Sequence, residues 1–358
     1  MIGFSRSQPN EQKIAKIAND NSIKKENPFN NVEFIQSDYD DPDSIKSLIQ
    51  SKKSHQQLYI YLAVPPQVIL EFLKTAGEYI NTNTHIIIEK PFGRSSEEAA
   101  YIIDLLTHHS LVDNVHFIDH YLFKSAVRFS NGDQRNFRNL FSKKIRSIDI
   151  SAIEELGVED RKSYYDKTGA FKDMFIHLYS LLTVSLELIN RSIDCYNITP
   201  IKVIKGQYKS YLKDIAEQQS RTDTYFELQV KLRPNNIKTV DRFNILTKLE
   251  SGKKLGRKTT TVTIRFRDDS LLSWNIAPKQ KITYSFEDQI KEIYLSNADL
   301  EAHENMYQDL LDGNLESFVK VEELIESWQV FDDSCSLSGC SNNPFVYKDS
   351  HYPPKKIK

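Results

Sequence analysis

The sequence predicts an α/β domain on a parallel sheet, followed by an α+β domain with a large, mostly antiparallel sheet. Two observations carry this expectation. Over the first 120 residues, short apolar runs alternate with helical patterns, and this rhythm marks βαβ units. From about residue 145 one strong helix is followed by a series of strand-like stretches with short turns.

In the first part, the runs at residues 2–4, 33–35, 58–64, 85–88 and 115–118 have the length of buried strands. Between them lie helical patterns over residues 68–80 and 97–107. In the first of these, Val68, Phe72, Leu73, Ala76 and Ile80 share one face. In the second part, residues 171–188 read as a helix, with Phe171, Met174, Phe175, Leu178, Leu181 and Leu182 along its apolar side. Strands are expected at 225–232, 243–249, 259–266 and 281–286, and a last helix at 322–330. The boundary falls near Phe117–Lys124, giving domains of residues 1–118 and 119–358.

Composition narrows the function classes. At 358 residues, with 39% apolar and 27% charged side chains, the chain is long enough for two cores. A net charge of -2 offers no basic field for nucleic acid and no polybasic membrane patch. No run approaches the roughly 18 apolar residues of a membrane span, and the opening Met1-Ile2-Gly3-Phe4-Ser5 does not read as a signal peptide. Cys195, Cys335 and Cys340 fit neither a disulfide framework nor zinc spacing, so a reduced, cytoplasmic setting is expected.

Two segments carry chemistry. Asp119-His120-Tyr121-Leu122-Phe123-Lys124 follows the strand at 115–118, so it falls at a strand's carboxyl end, where open α/β sheets bind ligands. Imidazole, phenol and ammonium can together donate to phosphate oxygens, although Asp119 also suits a helix N-cap. Asp173 and His177 stand four apart on one helix face. A histidine on such an apolar helix is usually structural; paired with a carboxylate it suits a general base. Tyr61-Leu62-Ala63-Val64-Pro65-Pro66 either borders a cofactor or simply starts a helix with proline. Glu89-Lys90-Pro91 ends a buried strand with a lysine that can donate to an amide or a sugar hydroxyl, or with a solvated charge pair in a turn.

Residues 87–95 (IIEKPFGRS), 118–124 (IDHYLFK), 155–177 (ELGVEDRKSYYDKTGAFKDMFIH) and 220–226 (SRTDTYF) resemble the glucose-6-phosphate dehydrogenase family. The similarity extends, in the family's order, through Gly206-Gln207-Tyr208, Ser251-Gly252-Lys253-Lys254-Leu255 and the stretch from Tyr307 to Trp328. It implies a Rossmann-type coenzyme domain and a β+α domain whose large sheet forms a homodimer or a dimer of dimers. It also implies oxidation of glucose 6-phosphate at C1 to 6-phosphogluconolactone with NADP or NAD, the entry to the pentose phosphate pathway. By the same resemblance His177 takes the C1 hydroxyl proton with Asp119 behind it, and His120, Tyr121 and Lys124 hold the 6-phosphate. Glu155, Asp173 and Lys253 bind sugar hydroxyls or the phosphate. Lys90 bridges sugar and coenzyme, Tyr61 and Pro65 border the nicotinamide, and Arg6 meets the 2′-phosphate of NADP, since guanidinium pairs well with phosphate.

Departures from the family pattern accompany the resemblance. The family's opening strand, its glycine turn GASGDL and the helix behind them belong before Met1. The expectation is either an upstream start or a coenzyme domain lacking its first β-α unit. Phe123 stands for a glycine, Ile176 for an asparagine, Glu250 for an arginine and Ala277 for a glutamine. Asp160, Lys162 and Ser163 replace glycines around Arg161, and the helix after Lys124 is shorter. Two alternatives remain at this stage. One is a family member without turnover that binds sugar phosphate or forms dimers; the other is a different nicotinamide sugar oxidoreductase.

Overall fold

The structure is a computed structural model, and it describes residues 2–5, 33–36, 41–50, 57–64, 66–80, 83–90, 92–132, 140, 142–235, 243–286, 289–295 and 301–352. The chain divides into two compact units, Met1–Phe117 and Ile118–Lys358.

In the first unit, β1 (Ile2–Ser5) and β2 (Glu33–Gln36) pair in parallel, and helix α1 (Pro42–Gln50) follows. A three-stranded sheet holds β3 (Leu58–Leu62), β4 (Thr84–Glu89) and β5 (Val115–Ile118) in that order. β3 and β4 run parallel, connected by helix α2 (Pro66–Ala76), and α3 (Ser96–His108) leads towards β5. The isoleucines Ile86, Ile87 and Ile88 are buried, as are Ile69, Phe72, Leu73 and Ala76 of α2. The run of buried residues on β4 reflects a parallel strand covered on both faces. Pro66 occupies the first position of α2, where its missing N–H costs nothing. Helix α3 opens at Ser95, whose hydroxyl accepts from the Glu98 N–H at 3.2 Å.

The second unit begins with a turn and the short helix α4 (Ser125–Gly132). Its remaining elements in chain order are β6 (Ile145–Ile153), α5 (Lys162–Leu188), β7 (Tyr196–Tyr208) and α6 (Tyr211–Ile215). Strands β8 (Tyr225–Pro234), β9 (Ile245–Gly252), β10 (Thr259–Phe266), β11 (Leu271–Ala277), β12 (Lys281–Phe286) and β13 (Gln289–Tyr294) come next. Helices α7 (Glu301–Leu311), α8 (Val321–Cys335) and α9 (Ser338–Ser341) precede the last strand, β14 (Phe345–Tyr347). The nine strands form one sheet in the order β13-β12-β11-β10-β6-β9-β8-β7-β14, antiparallel except for the β6–β9 and β7–β14 pairs. Strict alternation of buried and half-buried residues on β10 and β11 shows one face turned to the core.

Helix α5 fills that core. Phe171 and Phe175 pack on Phe331 of α8, and Phe171 also meets Phe226 of β8, with ring centroids 4.8–5.7 Å apart. Burying each such ring contributes about 1.5–3 kcal/mol. The helix is longer than the sequence pattern indicates and is broken at Gly169, whose φ of 73° and ψ of 164° belong to a region open only to glycine. Across that break Asp223, just before β8, accepts from the Phe171 N–H at 2.7 Å, and its carbonyl accepts from the Ala170 N–H at 2.8 Å. The second half of α5 therefore has its own N-terminal cap, supplied from elsewhere in the chain. Asp173 and His177 lie on that half.

Candidate active site

Asp119 is fully buried, and its carboxylate accepts hydrogen bonds at Oδ1. Oδ1 lies 2.8 Å from His177 Nδ1 and accepts the Tyr121 N–H at 3.0 Å. Such a buried charge is tolerable because both contacts are hydrogen bonds to it. The contact with the Tyr121 N–H is turn chemistry rather than the helix N-cap the sequence also suited, since the next helix, α4, begins only at Ser125. With Nδ1–H directed to the carboxylate, Nε2 of His177 is the nitrogen that carries a lone pair.

The other aromatic groups gather around His177. The His120 ring centroid is 5.4 Å and the Tyr121 centroid 5.1 Å away, both edge to face. Lys124 Nζ lies 5.8 Å from the Tyr121 ring. Burial raises the Tyr121 phenol pKa, opposed by the Thr260 hydroxyl and supported by the charges of Glu154, Asp119 and Asp173. Tyr121 is therefore a standing donor.

Asp173 is held by the Tyr164 hydroxyl at 3.2 Å and by Arg161 at 3.7 Å. Lys253 emerges where β9 ends, beside the end of β6. Because these strands run parallel with Ile153 opposite Gly252, the next residues, Glu154 and Lys253, meet in an ion pair above the Tyr165 ring. Glu155 is exposed, whereas Glu154 is the carboxylate that faces Lys253. Glu154 was not singled out in the sequence, where two adjacent glutamates look alike; only the β6–β9 register separates them. Asp223 and Gly169, which cap and begin the half of α5 that carries Asp173 and His177, were likewise hidden from local patterns.

In the first unit Tyr61 donates its hydroxyl to Glu89 across the β3–β4 pair, and Lys90 follows the last residue of β4, 6.0 Å from the Phe92 ring. Both sit at the carboxyl end of parallel strands; the Lys90 ammonium brings donors suited to amide and oxygen acceptors, whereas the Tyr61 hydroxyl donates to Glu89. Arg6 and Pro65 lie outside the described residues.

Comparison with known proteins adds the decisive observation. Residues 1–129 match the family model for the glucose-6-phosphate dehydrogenase NAD binding domain, and residues 125–189 match that for its C-terminal domain. The chain belongs to the glucose-6-phosphate dehydrogenase family. It is 25% identical over 346 residues to the glucose-6-phosphate 1-dehydrogenase of Helicobacter pylori, covering 89% of this chain and 80% of that one. The Dictyostelium discoideum enzyme of the same name is 28% identical over 406 residues, covering 92% and 80%. A solved glucose-6-phosphate dehydrogenase in complex with its substrate, glucose 6-phosphate, superposes with a TM-score of 0.78 at 24% identity, over 99% of this chain and 88% of that one. The Mycobacterium avium enzyme gives 0.77 at 18% identity, over 98% and 87%. KijD10, a 3-ketoreductase from Actinomadura kijaniata, gives 0.59 at 11% identity over 97% and 90%, a likeness of fold alone.

Two of the departures from the family pattern, Phe123 and Glu250, are accounted for by their surroundings. The Phe123 ring is fully buried against Phe318, centroids 5.0 Å apart. Ile176 is buried on α5. Glu250 is buried on β9, where it accepts from the Tyr225 and Tyr352 hydroxyls and from Lys248, each at 3.0 Å. Its reversed charge is thus neutralised within its own sheet. Ala277 ends β11 and precedes Pro278 through a cis peptide bond.

Proposed function

We propose that this chain is a glucose-6-phosphate 1-dehydrogenase that oxidises glucose 6-phosphate to 6-phosphogluconolactone with NADP. The observation that carries the reading is the Asp119–His177 contact of 2.8 Å, with the His120 and Tyr121 rings beside it. His177 Nε2 accepts the C1 hydroxyl proton. Asp119 fixes the tautomer and balances the imidazolium, a division of labour typically worth about 10²–10⁴-fold in rate. His120, the Tyr121 phenol and Lys124 hold the 6-phosphate, and Asp173, Lys253 and Glu154 bind the rest of the sugar. A bound nicotinamide dinucleotide supplies the hydride acceptor, held in part by Lys90, with Tyr61 at the neighbouring strand end. NADP is preferred over NAD through Arg6, and the chain assembles at least as a dimer through its large sheet.

No helix among the described residues is long and apolar enough to cross a membrane. The test is direct: purified protein, glucose 6-phosphate and NADP should give reduced nicotinamide, and NAD should give it more slowly. If calorimetry detects glucose 6-phosphate binding and no cofactor is reduced, the chain is a sugar-phosphate binder instead. Light scattering checks the dimer.

A further inference from the structure

The turn over residues 119–124, which carries His120, Tyr121 and Lys124, and the helix α4 that follows it are gripped by side chains far along the chain. Asn305 of α7 donates from Nδ2 to the Phe123 carbonyl at 3.0 Å. Gln280, between β11 and β12, accepts the Ala126 N–H at Oε1, 2.7 Å away. Asp309, one turn beyond Asn305 on α7, accepts from Arg128 Nη2 of α4 at 2.7 Å.

Each contact meets a defined need. Ala126 stands in the first turn of α4, where backbone N–H groups have no partner inside the helix, so Gln280 caps α4 from a distant part of the chain. Asn305 and Asp309 are four residues apart on one face of α7, and they engage the chain on either side of Ser125, where α4 begins. Gln280 and Asp309 are buried, and hydrogen bonds shielded from water are stronger than exposed ones. Two of the gripped groups, the Phe123 carbonyl and the Ala126 N–H, belong to the main chain, so these contacts fix the path of the backbone itself. Inside the turn, the Leu122 N–H donates to the Asp119 carbonyl at 2.9 Å and the Lys124 N–H to the Tyr121 carbonyl at 3.3 Å. Those local bonds shape the turn but do not orient it within the unit.

We propose that Gln280, Asn305 and Asp309 are positioning residues for phosphate recognition, which act by holding the turn that presents His120, Tyr121 and Lys124. The proposal rests on the reading that those three groups hold the 6-phosphate. Donors converging on one phosphate must keep their mutual spacing, and a displacement of about 1 Å is enough to lose it. Loosening the turn therefore weakens the grip on the phosphoryl end, while Asp173, Lys253 and Glu154 hold the rest of the sugar from other elements.

The experiment measures glucose 6-phosphate binding by calorimetry, its displacement by inorganic phosphate, and steady-state rates, in the full chain carrying Asn305→Ala, Gln280→Met or Gln280→Glu. Methionine removes the acceptor at similar size, whereas glutamate keeps an oxygen for the Ala126 N–H. Asn305→Ala and Gln280→Met should each weaken both ligands about fivefold, the effect of one net hydrogen bond, and raise KM with kcat little changed. Gln280→Glu should restore most of the affinity. Thermal unfolding checks that each variant is folded; if Gln280→Met is not, Asn305→Ala, at a half-buried position, carries the test. Unchanged affinities in Asn305→Ala and Gln280→Met, or an equal loss in Gln280→Met and Gln280→Glu, would overturn the proposal and leave the function standing. Failure of the unmutated protein to bind glucose 6-phosphate would overturn the functional reading, and this proposal with it.

Discussion

Asp223 closes the break in α5 opposite Gly169: its Oδ2 accepts the Phe171 N–H at 2.7 Å while its Oδ1 pairs with Lys205 at 2.9 Å. Two turns of helix separate that cap from His177, so the direction of the imidazole depends on a carboxylate from the loop before β8. Any Cβ at residue 169 would lie 2.9 Å from Asp223 Oδ1, and the backbone there suits glycine alone. Gly169→Ala should destabilise the second unit by about 2 kcal/mol or more and lower kcat. Urea unfolding and steady-state rates measure both, and unchanged values for both would mean the break does not position the helix.

Phe123 occupies a family glycine position, yet its ring is part of the core. Phe123→Gly should therefore cost at least about 3 kcal/mol through the cavity left against Phe318, with little change in KM for the sugar phosphate. A tighter KM without loss of stability would instead show the ring obstructing the substrate.

Glu154 and Glu155 separate two expectations. Glu154→Gln leaves Lys253 without its charged partner and should raise KM about tenfold, the equivalent of roughly 1.4 kcal/mol of a charge-assisted contact. Glu155→Gln, at an exposed position, should change KM less. The reverse order would place Glu155 on the substrate.

In the first unit His85 and His116 stack, with ring nitrogens 2.9 Å apart, and Tyr59 stacks on His85. Burial, helped by the charge of His85, depresses His116 to about 4. The unfolded chain takes up a proton near 6.5 that the folded chain refuses until about 4. Stability should be complete above pH 6.5, fall between 6.5 and 4 by at most a few kcal/mol, and level off below that as far as this group is concerned. His116→Asn should flatten this slope in denaturant titrations; an identical slope would assign the acid sensitivity elsewhere.

The apolar runs at 2–4, 33–35, 85–88 and 115–118 became strands; on the largely buried β4 and β5 the hydrophobicity that burial demands is local information. The helix expected at 68–80 ends at Ala76, since the last four residues turn rather than wind. Strand β7 escaped notice because half of its residues are polar or exposed and Pro200 sits at a shift in its register with β8. Edge strand β13 is almost wholly exposed and carries little apolar pattern. In the site, Asp119, His120, Tyr121 and Lys124 are neighbours in sequence, and the spacing of Asp173 and His177 is helical, so both groups were legible. Their meeting depends on the kink at Gly169, and the Glu154–Lys253 pair on a register between strands nearly a hundred residues apart. No local pattern encodes those.

The most direct test of the account is the rate of nicotinamide reduction by glucose 6-phosphate in the unmutated protein, His177→Asn and Asp119→Asn. The account predicts measurable turnover, loss of it in His177→Asn with folding and sugar-phosphate binding retained, and a fall of roughly 10²–10⁴-fold in kcat for Asp119→Asn. Equal rates in all three proteins would contradict it.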